Sequence, residues 1–355
     1  MRRRRKDPVT IGRNDKLGQI SLGRRIRIMA SSGFAVLTVA LMLAALTALW
    51  IYRAPGPKAR QGADTTVILR HGAGVAEIAS DLERAGVIGS APVFDALVQV
   101  TGVGRHLKAG EYDFASGASI ADIIDKLKTG RVVRHLVTLP EGITADEVVD
   151  VLMGNPVLTG SVPTPPEGGV LPETYSVERG EDRSAVLQRM MASRDKILAK
   201  LWASRQPDLP YKTPEDAVIL ASIVEKETAL ADERPRIAGL FVNRLKKSMR
   251  LESDPTIIYG LTHGRALGHG IRQSEMAMPS PYNTYQIDGL PPTPIANPGK
   301  DALAAALQPA NTQELYFVAD GTGGHVFANT FEEHERNVQR WRQLEAQARQ
   351  AAQKR

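Results

Sequence analysis

The hydrophobic pattern divides the chain into three textures. From Ile28 to Tyr52 there is no charged residue, and the apolar run from Phe34 to Ile51 is near-continuous. A span of about 20 apolar residues crosses a bilayer, so residues 28–52 are predicted to form a single transmembrane helix with Trp50 and Tyr52 at its interfacial end. A cleaved signal peptide is the rival reading, but its apolar region is usually shorter, about 7 to 15 residues, and ends in a small-x-small site. Residues 53–64, rich in Pro and Gly, read as a linker away from the membrane.

Next comes a weak internal repeat. A strand-like run leads to a glycine, and five residues later to an acid, a branched apolar residue and then a leucine: Gly72, Glu77, Ile78, Leu82; Gly117, Asp122, Ile123, Leu127; Gly142, Glu147, Val148, Leu152. The strands are Val67–Leu69, Tyr112–Phe114 and Leu136–Leu139. Such units serve either as plain packing elements or as a binding module.

Beyond the Pro/Gly loop Ser161–Gly169 the period changes from two to that of a helix. Arg183–Trp202, a helix starting near Pro214, and Pro235–Lys247 each carry an apolar stripe. Thr213, Pro214 and Asp216 supply cap, first helical position and capping-box acid for the second of these. From Leu251 a loop-rich, proline-rich stretch runs to Gly299. A hairpin, Leu315–Val318 with His325–Phe327, and a last helix, Thr330–Gln353, close the chain. The expected class is α+β: a cytoplasmic tail at 1–27, the anchor, a small domain at 65–135, a larger domain at 136–345 and a polar tail at 346–355.

Charge refines this picture. Up to Arg27 ten basic residues meet two acidic ones; the whole chain carries +6, so the remainder carries −2. The basic end predicts a cytoplasmic N-terminus with the bulk of the chain across the membrane. No global basic field supports nucleic-acid binding. The absence of cysteine excludes disulfides, thiol nucleophiles and thiolate metal sites. His263, His269, His325 and His334 form no helical ligand pair, so neither metal nor cofactor is expected.

The candidate chemistry centres on Glu225-Lys226-Glu227-Thr228. Helical stepping puts Glu227 on the apolar stripe with Leu220, Ile223 and Val224, with Ser222 and Lys226 on the opposite face and Glu225 at the margin. A carboxyl in apolar surroundings keeps its proton near neutral pH, as a general acid must. The plainer alternative is a salt-bridged surface pair. Polar and aromatic residues gather in the loops that follow: Glu252, Ser253, Asp254, Thr256, Tyr259, Tyr282, Asn283, Thr284, Tyr285, Asn297, His325 and Asn329. Aromatic faces with amides and hydroxyls suit a carbohydrate.

These segments also resemble a family. Glu225-Lys226-Glu227-Thr228, Asn243-Arg244-Leu245, Ser253-Asp254-Pro255-Thr256, Tyr282-Asn283-Thr284-Tyr285, Gly289-Leu290-Pro291-Pro292, Ile295-Ala296-Asn297-Pro298-Gly299 and Gly323-Gly324-His325 are similar to the endolytic murein transglycosylases of the bacterial cytoplasmic membrane. The resemblance implies a LysM-like domain for the repeat region and cleavage of the peptidoglycan glycan strand between N-acetylmuramic acid and N-acetylglucosamine without water, leaving a 1,6-anhydro end. It puts the catalytic acid on Glu227. It also implies a single-pass inner-membrane protein with a periplasmic catalytic domain, and leaves peptidoglycan synthases open as companions. Gly169 and Glu173 stand where the family usually has an aromatic residue and an Asp. Glu225, Asp254, Tyr282, Asn283, Tyr285, Asn297 and His325 are the expected substrate contacts. Two other functions stay open: a hydrolytic muramidase using Glu227 with Asp254, and a non-catalytic wall-binding scaffold.

Overall fold

A computed structural model describes residues 22–353 and makes the charge-free stretch one helix, α1 (Leu22–Arg53). Its segment Phe34–Arg53 is long and apolar enough to cross a membrane, and none of that window is buried in the protein. Of the expected basic tail, residues 1–21 lie outside the described residues.

The chain then forms two compact units, the first ending at Arg131 and the second beginning at Val132. The first contains β1 (Asp64–Leu69), α2 (Val75–Arg84), α3 (Ala91–Thr101), β2 (Gly110–Ala115) and α4 (Ile120–Thr129). β1 pairs antiparallel with β2, Val67 opposite Tyr112 and Leu69 opposite Gly110. Val67 and Leu69 point inward with Tyr112 and Phe114, and α2, α3 and α4 add Leu82, Phe94 and Leu127 to the same core.

The segment after Arg53 differs from the free linker expected. Gly56 N–H donates to the Gly117 carbonyl at 3.1 Å, Gly117 N–H to the Pro57 carbonyl at 3.0 Å, and Ala59 N–H to Ser116 Oγ at 2.9 Å. A Cβ on Gly56 would stand 2.3 Å from the Ala118 carbonyl oxygen, so only glycine permits this contact. Proline and glycine here serve close packing rather than slack.

The second unit opens with β3 (His135–Thr138) and α5 (Ala145–Gly154); β3 pairs antiparallel with β4 (Thr174–Val177). The three repeat copies share a local form. Gly72, Gly117 and Gly142 take left-handed φ of 82°, 79° and 73° just before α2, α4 and α5. Ile78 with Leu82, Ile123 with Leu127, and Val148 with Leu152 are the buried positions of those helices. The acid closes a capping box with Ser119 in α4 and Thr144 in α5, whereas Gly74 at the α2 N-cap offers no side chain.

Helices build the rest: α6 (Arg183–Ala203), α7 (Pro214–Glu227), α8 (Arg234–Lys246), α9 (Asp254–Thr262), the single turn α10 (Gln273–Met276) and α11 (Lys300–Leu307). The hairpin β5 (Tyr316–Ala319) and β6 (His325–Ala328) and then α12 (Phe331–Gln353) follow. Thr213 and Asp216 form the expected capping box on α7. The two-faced pattern expected for α7 is not what is observed: every residue from Ala217 to Val224 is buried, because α6, α8, α9 and α11 surround the helix. Ser222 survives there by donating to the Ile219 carbonyl at 2.7 Å and accepting from Ile295 N–H at 3.0 Å. Leu220, Ile223, Ile237, Phe241, Leu303 and Leu307 make the core, each worth about 1.5–3 kcal/mol of burial. The loop expected from Leu251 is in part the helix α9, which Pro255 helps to start because its missing N–H is not needed in the first turn.

Candidate active site

Glu227 is the last residue of α7, not a mid-helix residue, and the chain leaves through Thr228 in an extended conformation. The most buried helix of the unit thus ends in a carboxylate that remains only partly accessible. The turn after α8 returns the chain to it. Arg244 fixes that turn, its Nη1 donating to the carbonyls of Arg250 at 3.0 Å and Leu251 at 3.1 Å and to Glu252 Oε2 at 2.8 Å. Ser253 N–H donates to Thr284 Oγ1 at 2.9 Å, and the Ser253 hydroxyl donates to Glu227 Oε1. Asp254 opens α9 rather than capping it, since Ser253 holds the cap position; its Oδ1 accepts from the Tyr285 hydroxyl at 2.8 Å.

Burial pushes the Glu227 carboxyl up from 4.5 to about 7; the Ser253 bond opposes this, the Asp254 charge adds to it, and the Arg244 charge opposes it. The same desolvation, with the charges of Asp254 and Glu227, holds the Tyr285 phenol protonated. Glu227, Asp254 and Tyr285 are therefore brought together.

Glu225 belongs to a different arrangement. Its Oε2 accepts from Gly299 N–H at 2.8 Å, and its Oε1 lies 3.4 Å from Arg234 Nη2, which also faces Glu141 at 3.4 Å. The Glu225 side chain is 5 % exposed and that of Arg234 10 %. Burial raises the Glu225 pKa, the Gly299 bond and Arg234 working against it. This carboxylate ties α7 to α8 and to the Asn297–Gly299 loop.

The two asparagines are fully buried, and their amides are spent inside the protein. Asn283 donates to the carbonyls of Met276 at 2.8 Å and Met278 at 3.1 Å and accepts from Tyr285 N–H at 3.1 Å. Asn297 accepts from Val170 N–H and donates to the Ile143 carbonyl, each at 2.9 Å. Both shape loops instead of offering free amides to a ligand. Tyr282 packs its ring edge-on against Tyr259, centroids 4.9 Å apart, with its hydroxyl 2.9 Å from Thr293 Oγ1.

The profile of the YceG-like family matches residues 67–340, about three quarters of the sequence. The chain belongs to the YceG-like family. Among its curated relatives are proteins named endolytic murein transglycosylase from Streptococcus pneumoniae serotype 2, 31 % identical over 77 % of this chain, and from Bacillus subtilis strain 168, 28 % identical over 76 % of it. The chain spans 57 % of the pneumococcal relative's length and 82 % of the Bacillus one's. A crystal structure of a YceG-like protein from Listeria monocytogenes is 28 % identical, covering 77 % of this chain and 98 % of that one, with a TM-score of 0.48.

Two further groups of this YceG-like chain adjoin these segments. His325, expected as a substrate contact, is locked to Glu233: its backbone N–H donates to Oε1 at 2.8 Å and its Nδ1 lies 2.7 Å from Oε2. Glu233 Oε2 also accepts from the hydroxyl of Thr228, the residue after Glu227, at 3.1 Å. The β6 hairpin thereby holds the end of α7.

Glu167 went unnoticed in the sequence. Its Oε1 accepts from Ala145 N–H at 2.9 Å and faces Asn297 Nδ2 at 3.4 Å, and its Oε2 accepts from the Tyr259 hydroxyl at 3.1 Å. Burial raises it from 4.5 to about 7 against those hydrogen bonds. A lone acid between Pro166 and Gly168 in a loop without charge partners was the only available signal.

Proposed function

We propose that this chain is a membrane-anchored endolytic murein transglycosylase in which Glu227 is the single acid–base group. The observation that carries this is the Glu227 carboxyl itself: it ends a helix whose residues Ala217 to Val224 are all buried, is held by Ser253, and keeps its proton up to about pH 7. The curated relatives' names give the substrate class, and their moderate identity supports the same general reaction.

Ser253 engages Oε1, so the labile proton sits on Oε2. Glu227 passes it to the oxygen linking muramic acid C1 to the next sugar as that bond breaks and positive charge builds on the ring. The leaving sugar departs with the new hydroxyl. The Glu227 carboxylate then takes the proton of the muramic C6 hydroxyl, whose oxygen bonds to C1 and closes the 1,6-anhydro ring. The carboxyl ends protonated, as it began, and no water is consumed. Tyr282 and Tyr285 line the approach as sugar contacts, with Glu225, Asn283, Asn297 and His325 positioning the loops around it.

In this reading α1 is a single-pass inner-membrane anchor, with the N-terminus cytoplasmic and both units periplasmic. The β1-α2-α3-β2 order supports the LysM-like reading of residues 65–135, a module for the glycan itself.

One observation favours a second reading. Asp254 stands close enough to raise the Glu227 pKa, and a second carboxylate is what a hydrolytic muramidase requires. Mass spectrometry of digested glycan strands separates the two: 1,6-anhydro ends are expected, whereas reducing ends indicate hydrolysis. Unchanged cutting by Glu227→Gln would remove Glu227 from either mechanism.

A further inference from the structure

The first compact unit presents an apolar surface that its own core leaves uncovered. Trp50 and Ile51, in the last turn of α1, line a groove with Val87, Ile88, Val93 and Ile120. Trp50 is 71 % exposed. α3 turns Phe94 and Val98 inward, yet its outer side carries Val93 at 37 % and Val100 at 86 % exposure, with exposed Pro92 and Ala96 beside them. Val93 and Val100 lie about 10 Å apart along the helix axis. Asp95, the helix's one charged residue, is half-buried and accepts from Gln99 Nε2 at 2.9 Å. Gln99, bonded to Asp95, is an exposed polar side chain on that outer side, and a helix otherwise apolar on both its inner and outer sides is out of place in water.

What covers this face follows from its attachment. Val93 borders the same groove as Trp50, so the apolar surface of α3 is continuous with the end of the helix that is long enough to cross a membrane. The Gly56–Gly117 and Ala59–Ser116 hydrogen bonds pin the unit there and keep it from drifting away. Cations surround the exit. Arg53, Lys58 and Arg60 are exposed, and the Arg60 guanidinium lies over Gly86, next to the groove residues Val87 and Ile88. Apolar residues rimmed by basic ones fit the headgroup boundary of an anionic bilayer.

We infer that the outer face of α3, with the groove it shares with Trp50, is a membrane-docking surface that seats the first unit in the headgroup region of the leaflet from which α1 emerges. This rests on the reading of α1 as a membrane anchor. Docking fixes the height of the first unit and biases it toward glycan lying close to that leaflet.

The chain has no cysteine, so single-cysteine probes are clean. Val93→Cys, Val100→Cys, Leu43→Cys in α1 and Lys128→Cys on the exposed side of α4 are each labelled with the fluorophore NBD. The full chain is reconstituted into phosphatidylethanolamine–phosphatidylglycerol vesicles carrying either a shallow or a deep doxyl-lipid quencher. The expected result is quenching at position 43 by the deep label and blue-shifted emission at 93 and 100 with about twofold quenching by the shallow label, with position 128 unaffected. Quenching at 43 while 93 and 100 behave like 128 overturns the docking and leaves the anchor standing. No quenching at 43 means that the anchor reading itself has failed. Blue-shifted emission at 93 and 100 that no lipid label quenches also overturns the proposal, because protein then covers the face.

Discussion

Glu227 and Glu167 both hold a proton to about pH 7, and in both the largest cause is desolvation. A carboxyl whose folded pKa lies above its unfolded value favours the fold while protonated. That contribution is whole below about 4.5 and lost as pH rises to 7. At 1.36 kcal/mol per pH unit the upper bound is about 3 kcal/mol for each group, and less in fact because water reaches both side chains in part. Glu227→Gln should therefore match the wild type in stability near pH 4.5 and exceed it by about 1–3 kcal/mol at pH 8, read by denaturant unfolding at the two pH values. An unchanged difference across that range would mean that the charge carries no folding cost. The proposed mechanism requires the acid form of Glu227, so under it kcat/KM for glycan cleavage should fall about tenfold per unit once pH passes 7. Glu167→Gln preserves the acceptor for Ala145 and a partner for Tyr259 and should keep both fold and cutting. Glu167→Ala unties three segments and should lower both.

The ion pair between α7 and α8 makes a prediction of its own. Arg234→Met leaves the buried Glu225 facing Glu141 with only the weaker influence of the Lys226 charge to offset it, and breaking a buried pair in this way costs up to about 3–5 kcal/mol when the remaining charge cannot escape. Glu225 can escape by taking a proton, since its pKa is already raised. The loss measured by thermal unfolding should thus be larger at pH 8 than at pH 5; an equal loss would point to packing alone. Much at this scale was legible. Thr213, Pro214 and Asp216 announce the start of α7, and the hairpin and last helix fall within a residue or two of expectation. α9 was missed because Ser253-Asp254-Pro255 reads equally as a turn, and only the packing of Thr256, Ile257 and Tyr259 decides for a helix. The sequence suggested Asp254 as a partner of Glu227 and put Ser253 and Tyr285 only within a broad cluster of polar and aromatic loop residues; it did not show the inward amides of Asn283 and Asn297 or the Glu233–His325 lock. Those depend on which loops meet, information that no local spacing carries.

For the whole molecule, the family match from residue 67 to residue 340 runs through both units, and the two apolar clusters of the second unit draw only on residues after Val132. A chain beginning at Val132 should accordingly fold alone in one cooperative transition and cut soluble glycan; a molten or aggregated product would show that the first unit is needed for the second to fold. The Pro/Gly stretch after α1 looked free in the sequence, and its pinning by Gly56 and Gly117 could not be read there because both partners are backbone groups 61 residues apart. The most direct test of the central claim is product analysis by mass spectrometry on purified peptidoglycan glycan strands, with wild type beside Glu227→Gln. Wild type should release strands with 1,6-anhydromuramic ends while the variant binds strands and releases none. Anhydro ends from the variant, or their absence from the wild type, would contradict the assignment of Glu227 as the one group that gives and takes back the proton.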